Sequence, residues 1–389
     1  MKIKNIIAVG AIALASLSAA NAATVVNLTG ATAFRAAANA SIIAVLGGAG
    51  GCQYAYTGTQ GISGTNRAIF KGNLLGDVNK PYVVRVSWSG STQGILDLAD
   101  QTPIQYLTEA NPTSTGGTNL GESGNPAPLY ENAVARWSFS DVDKLLSSRP
   151  NATLGGGPVG VVPFMFLAGE GAPAGITNMT DQIHEVLWST GQINASFFGS
   201  ASTSTTVLAT GRNNGSGTRA SILAETAYGA FTPVVQFNAT YTGNRTDSYP
   251  TAALGAVTQF STNSGHSSNS GVRELLTRPR QDMTFDGSPV DAVFVSYLTI
   301  SDALSAITEG AIEMTYNGVN YTADNVKNGA YSLWGYQQLY LAGDATAGET
   351  EFDTALRGAV PANMGTAGIP IPDMTVTRTG GDGGPIFPN

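Results

Sequence analysis

The chain has 389 residues, of which 48 are glycine and only 12% are charged, with a formal net charge of −8, two histidines and one cysteine. One cysteine excludes an intrachain disulfide and any cysteine-cluster metal site, and two histidines leave little for histidine-based zinc chemistry. The acidic balance gives no electrostatic footprint for DNA or RNA, and a hydrophobic content of 42% is enough for a sizeable core.

The chain opens with a segment that reads as targeting rather than fold. Lys2 and Lys4 make a positive start, Ile6 to Leu17 is an apolar stretch too short to span a bilayer, and Ala20-Asn21-Ala22 is an A-x-A cleavage signature. Residues 1–22 are therefore expected to be a signal peptide. The mature protein is expected to be soluble and periplasmic or extracellular.

Val25 to Leu28 reads as a strand that ends at Thr29-Gly30. Phe34, Ala38, Ile42 and Leu46 then recur at every fourth position, which predicts a helix closed by Gly47-Gly48. Tyr82 to Trp88 reads as a strand, and Gly94 to Leu98 opens a second helix. Residues 102–132 are rich in Pro, Gly, Asn, Ser and Thr and read as an inserted surface loop. Val142, Leu145 and Leu146 suggest a helix after Ser140-Asp141. The run Val159 to Ala168 reads as a buried strand, and Met179 to Leu187 as a helix that carries His184. Thr206 to Ala209 reads as a strand, Arg212 to Thr218 as a glycine-containing turn, and Leu223, Ala227 and Phe231 as a helix face. A polar loop over 261–271, a helix from Val272 and a buried strand over Val290 to Leu298 follow. The glycine-rich end, residues 377–389, is expected to be loose. Strands alternating with helices predict an α/β fold with mostly parallel sheets.

The chemistry concentrates at strand-to-helix turns. In Arg212-Asn213-Asn214-Gly215-Ser216-Gly217-Thr218 the glycines admit a close ligand, the hydroxyls of Ser216 and Thr218 add donors, and Arg212 supplies a fork suited to an oxyanion. Backbone N–H groups at such a junction point outward with the positive end of the helix dipole behind them. Residues 29–34 and 88–94 repeat the pattern. A capped helix entry accounts for each turn taken singly. Three in one α/β chain suit a ligand held outside the carboxyl ends of the strands.

These segments resemble the phosphate-binding periplasmic proteins of ABC transporters. Arg212, Gly215, Ser216, Gly217 and Thr218 match that family's signature in spacing, and Gly30-Ala31-Thr32 and Gly90-Ser91-Thr92 resemble its two other turns. Trp137-Ser138-Phe139-Ser140-Asp141 and Asn325 to Leu333 resemble two further elements, in the family's order. The resemblance implies a two-lobed type 2 periplasmic binding protein fold, each lobe a mostly parallel sheet flanked by helices, with the ligand in the cleft between them. Residues 23–156 with 297–389 would form lobe one, and 157–296 lobe two.

It also implies roles. Thr32 and Ala33 would offer backbone N–H groups, and Ser91 would donate from backbone and side chain. Asp141 would accept from a protonated phosphate oxygen, and Arg212, Ser216, Gly217 and Thr218 would complete the cage. One departure is Asn214, where the family carries an acidic residue that holds the arginine. The implied protein is a monomeric binding protein for inorganic phosphate or a related tetrahedral oxyanion. It would have no cofactor, no metal and no catalytic residue, and its partner would be an ABC transporter permease. The alternatives are a surface or matrix protein that keeps the fold without binding, and a phosphoester hydrolase.

Overall fold

The computed structural model describes residues 22–48, 50–121 and 127–389. The signal-peptide expectation falls, apart from Ala22, outside the described residues. The chain is organised around one long strand, Leu154–Ala168, shared by two lobes. Its first part, up to Pro163, pairs antiparallel with Trp334–Ala342. Its second part, from Phe164, pairs antiparallel with Ala292–Thr299. The outgoing crossing therefore lies at Pro163–Phe164. The return lies beside it, where the Phe164 N–H donates to the Leu333 carbonyl at 2.9 Å.

On the first lobe the strand order runs Gln53–Thr57, Arg67–Asn73, Pro81–Ser87, Thr24–Gly30, Trp137–Ser140, Trp334–Ala342 and then Leu154–Ala168. The sheet continues into the second lobe through Ala292–Thr299, Thr206–Ala209 and Gln192–Asn194. Parallel pairing holds in the middle of each lobe: Thr24–Gly30 lies between Pro81–Ser87 and Trp137–Ser140, and Thr206–Ala209 lies beside Ala292–Thr299. Antiparallel strands are added around these. The architecture is the expected two-lobed α/β type with helices on the sheet. The central strands are buried on both faces because both faces are covered; every residue of Ala292–Thr299 is buried.

The helices Arg35–Val45 and Ala347–Asn363 pack together on lobe one. Phe352, Leu356 and Val360 are buried there with Ala38, Ile42 and Val45. Phe352 meets Trp137 edge-on at 5.9 Å. Burying such a ring contributes about 1.5–3 kcal/mol. Thr346 and Glu349 start the longer helix with a reciprocal capping box.

Several expectations are corrected. The return to lobe one comes near residue 333, not 297. Ala292–Thr299 stays in lobe two because it pairs with Thr206–Ala209, and Ile300, Ala303 and Ala306 of the following helix pack on Met165, Leu167 and Phe294. Residues 102–132 are not one surface loop: Pro103–Leu107 and Tyr130–Val134 form an antiparallel ribbon, and Thr118–Leu120 pairs parallel with Gln53–Thr57. No full helix follows Asp141. The Asp143 carboxylate accepts from the Leu145 N–H and tightens Lys144–Leu146 into a 3₁₀ turn. The helix Gly217–Glu225 ends before Ala227, which has φ of +56°, so the face expected to reach Phe231 is not helical there.

The C-terminal end is not loose. Val376–Arg378 and Ile386–Pro388 form a hairpin turned by glycines at positive φ. Arg378 is buried over the Trp334 ring at 4.5 Å and donates to Glu225 at 2.6 Å and to the Ser332 carbonyl at 2.6 Å. Asp382 accepts from the Asp143 N–H at 2.8 Å and from the Ser221 hydroxyl at 3.4 Å. These anchors lie on both sides of the crossing.

His184 is a core residue. It stacks on Trp188 at 4.5 Å and meets Phe166 and Tyr228 edge-on. Neither ring nitrogen meets a hydrogen-bond partner among the described residues, and burial pushes its pKa down to about 3. The unfolded chain takes up a proton near pH 6.5 and the folded chain does not, so stability falls as pH drops from about 6.5 toward 3. His184→Phe is expected to raise Tm, with a gap over the parent that widens between pH 8 and pH 5. A gap that stays constant in thermal melts across that range would contradict the lowered pKa.

Candidate functional site

Three strand-to-helix junctions converge where the lobes meet. Gly30, at φ +114°, ends the first strand, and a Cβ there would overlap the Phe139 carbonyl. The neighbouring strand passes that close because the Ala31 N–H donates to Phe139 at 2.8 Å. The Gly30 carbonyl also accepts from the Gly90 N–H at 2.9 Å, which ties the first junction to the second. The helices Ser91–Ala99 and Gly217–Glu225 then present their N-termini to each other. Ser216 caps the latter by accepting from the Arg219 N–H at 3.3 Å. The Thr92 hydroxyl donates across the gap to the Gly215 carbonyl.

Asp141 sits between these two helix starts, at the end of Trp137–Ser140. The Ser91 hydroxyl donates to its Oδ1, and the Thr218 hydroxyl donates to its Oδ2 at 3.0 Å. The Ser221 hydroxyl donates to its carbonyl at 3.1 Å. The carboxyl is only 2% exposed. Burial raises its pKa, opposed by the two hydroxyl donors and by the positive charge of Arg212. Gly217 is required here: a Cβ would overlap Asp141 Oδ1 and lie 2.6 Å from Ser91 Cβ. Ser91, Asp141, Gly217 and Thr218 are thus in mutual contact, with lobe one supplying the first two and lobe two the others.

Arg212 is buried beside this group, and each of its three nitrogens has a partner. Nε donates to the His266 carbonyl at 3.3 Å, Nη2 to the Ser267 carbonyl at 3.0 Å, and Nη1 to Asn269 Oδ1 at 2.6 Å. The Asn269 amide donates in turn to Asp302 at 2.7 Å and to Thr299 at 3.0 Å. Burial lowers the Arg212 pKa, while Asp141, Tyr297 and Asp302 act to raise it. Asn214 is exposed and holds nothing on the arginine. The steadying role falls instead to Asn269, backed by Asp302. Sequence reasoning missed both residues. Asn269 opens the helix Asn269–Leu276, 57 positions from Arg212, with no local pattern to pair them.

Among the described residues the side-chain donors on Asp141 are Ser91 and Thr218, not Thr32 or Ala33. Thr32 and Ala33 line a cleft of about 840 Å³ between the lobes, together with Arg35, Arg67 and Ser89 on one side and Ser267 to Ser270 and Asp302 on the other. Arg35 faces this cleft and donates to Asn66 Oδ1 at 2.6 Å. His266 lies behind Arg212, its pKa lowered to about 4 by burial and by that charge. No group of His, Cys, Asp and Glu among the described residues could hold a metal ion. No helix among them is long and apolar enough to cross a membrane.

No family model matches the chain, and no curated protein matches it in sequence. Solved structures resemble it in the course of the chain. A Clostridium perfringens protein with bound phosphate matches with a TM-score of 0.49 and 12% identity, covering 90% of this chain and 100% of its own. An ABC-type phosphate transport receptor from Vibrio cholerae matches with a TM-score of 0.49 and 13% identity, covering 89% and 100%. PstS from Borrelia burgdorferi matches with a TM-score of 0.43 and 12% identity, covering 89% and 99%.

Proposed function

We propose that the protein binds a tetrahedral oxyanion, inorganic phosphate, where its lobes meet, and that it serves as an exported solute-binding protein for ABC-type uptake. The observation that carries this reading is the Asp141 cluster. A buried carboxylate already sits where hydroxyls from both lobes and two helix N-termini converge, with Arg212 alongside. Such a cluster is a site for negative oxygen. An oxyanion would enter by taking over the donors Ser91 and Thr218, with Arg212, Ser216 and Gly217 around it and the Thr32–Ala33 turn closing the cleft side. Asp141 would then face the anion directly. Two negative groups are compatible there only with a proton between them, so hydrogen phosphate fits and fully deprotonated sulfate does not.

Calorimetric titration of ligand-stripped protein with phosphate, arsenate and sulfate tests the reading. Phosphate and arsenate are expected to bind and sulfate to bind weakly. Asp141→Asn removes the demand for a shared proton and is expected to lower the phosphate-to-sulfate ratio at least about tenfold, or about 1.4 kcal/mol. An unchanged ratio would count against the role given to Asp141.

One observation favours a second reading, a protein that keeps the fold without binding. Three of the five N–H donors of Arg212 already go to His266, Ser267 and Asn269, and both Asp141 oxygens have partners. Folded, ligand-free protein that gives no heat with any of the three anions would select it.

A further inference from the structure

From the cleft beside the Asp141 cluster we infer that the ligand is not free phosphate alone but a phosphate monoester of a sugar or polyol. The inference rests on the oxyanion reading above and adds the organic part of the ligand. The first observation is room. The lobes already touch at the cluster, through Thr92 to Gly215 and Asp141 to Thr218. The cleft of about 840 Å³ therefore remains after contact between the lobes is made, and both lobes line it. Pockets of about 300–1,000 Å³ hold organic molecules of ordinary metabolite size, far more than a single oxyanion.

The second observation is chemistry. More than half of the lining residues are serines, threonines and amides such as Gln60 and Asn66, and Trp88 is the one aromatic residue among them. Pockets for apolar groups are lined by hydrophobic side chains. A wall of hydroxyls and amides instead exchanges hydrogen bonds in both directions with a hydroxylated ligand. Its charged residues are Arg35, Arg67 and Asp302, a positive balance within a chain of net charge −8. That balance draws an anionic ligand into the cleft.

The third observation is continuity. Thr32, Ala33 and Ser89 belong to the same junctions that build the anion cluster, and they also line the cleft. Asn269 lines the cleft with one side and accepts from Arg212 with the other. A phosphoryl group held at the cluster would therefore project its ester oxygen and carbon chain into the hydroxyl-lined space.

The test is calorimetry at pH 5.5, where a phosphate monoester (second pKa about 6) keeps the proton that Asp141 demands, on the ligand-stripped protein with inorganic phosphate, glucose 6-phosphate and glucose, repeated on Thr59→Trp. Thr59 is exposed on the cleft wall, so the indole takes up cleft volume without burdening the fold. Glucose 6-phosphate is expected to bind at least tenfold tighter than inorganic phosphate, and glucose to give no heat. Thr59→Trp is expected to remove that advantage. Inorganic phosphate binding as tightly as the ester, or an advantage that survives Thr59→Trp, would overturn the inference and leave the oxyanion reading standing. Glucose binding as tightly as its phosphate would also overturn it. Failure of both phosphate and the ester to bind would overturn the oxyanion reading and this inference together.

Discussion

Gly217→Ala is expected to lower affinity for phosphate at least about a hundredfold, or about 2.7 kcal/mol, and to reduce Tm by several degrees. The added methyl would overlap Asp141 Oδ1 and lie 2.6 Å from Ser91 Cβ. Neither neighbour can yield cheaply, because Asp141 is buried and held by Thr218 and Ser91 is buried at a helix start. Helix propensity runs the other way: Ala is favoured over Gly by about 1 kcal/mol inside a helix. Overpacking costs about 1–3 kcal/mol, so a net destabilisation reports the contact and not the backbone. Calorimetric titration together with a thermal melt separates the two effects. A folded variant that binds phosphate like the parent would place the anion elsewhere.

Asp382→Asn is expected to stabilise the protein at pH 8.5 and to make little difference at pH 4. Burial pushes the Asp382 carboxyl up to about 7, with the Asp143 N–H and the Arg378 charge acting against the rise. A carboxyl raised in the folded state binds its proton more tightly there than in the unfolded chain. Its contribution is complete below about pH 4 and is lost as pH rises through 7. Asparagine keeps an acceptor for the Asp143 N–H and Ser221 and carries no charge to bury. Each pH unit of displacement is worth about 1.4 kcal/mol, so the difference at pH 8.5 reaches up to about 4 kcal/mol. Melts of both proteins from pH 4 to 8.5 decide the matter; curves that run parallel across the range would remove Asp382 as the cause.

The strand-to-helix junctions were legible in the sequence because each carries its own punctuation. Gly30, Gly90 and the Arg212–Thr218 segment stand between an apolar run and a helix, and all three lie where the lobes meet. Asp141 was legible only through resemblance, since a lone Ser-Asp pair before apolar residues also spells a helix cap. The return crossing was not legible. Ala292–Thr299 and Trp334–Ala342 are both mostly buried strands, and periodicity does not say which lobe a strand joins. The hairpin at the C-terminus was hidden because glycine-rich sequence usually signals looseness, while its anchors Arg378 and Asp382 find partners more than 150 positions away. Asn269 and Asp302 escaped for the same reason of distance. What holds Arg212 is built from a loop and a helix that sequence order keeps apart.

The position of Trp334–Ala342 has a consequence for the order in which the protein can be assembled. This strand lies between Trp137–Ser140 and Leu154–Ala168, which pair with it and not with each other. The two older strands leave the ribosome nearly two hundred residues earlier, each with an open edge facing the place of the missing one. Until residue 342 has been made, the sheet cannot be continuous from one lobe to the other. Joining contacts of such long sequence separation makes folding slow relative to chains dominated by local pairing. A chain whose central strand comes so late cannot complete its sheet until most of it has been synthesised.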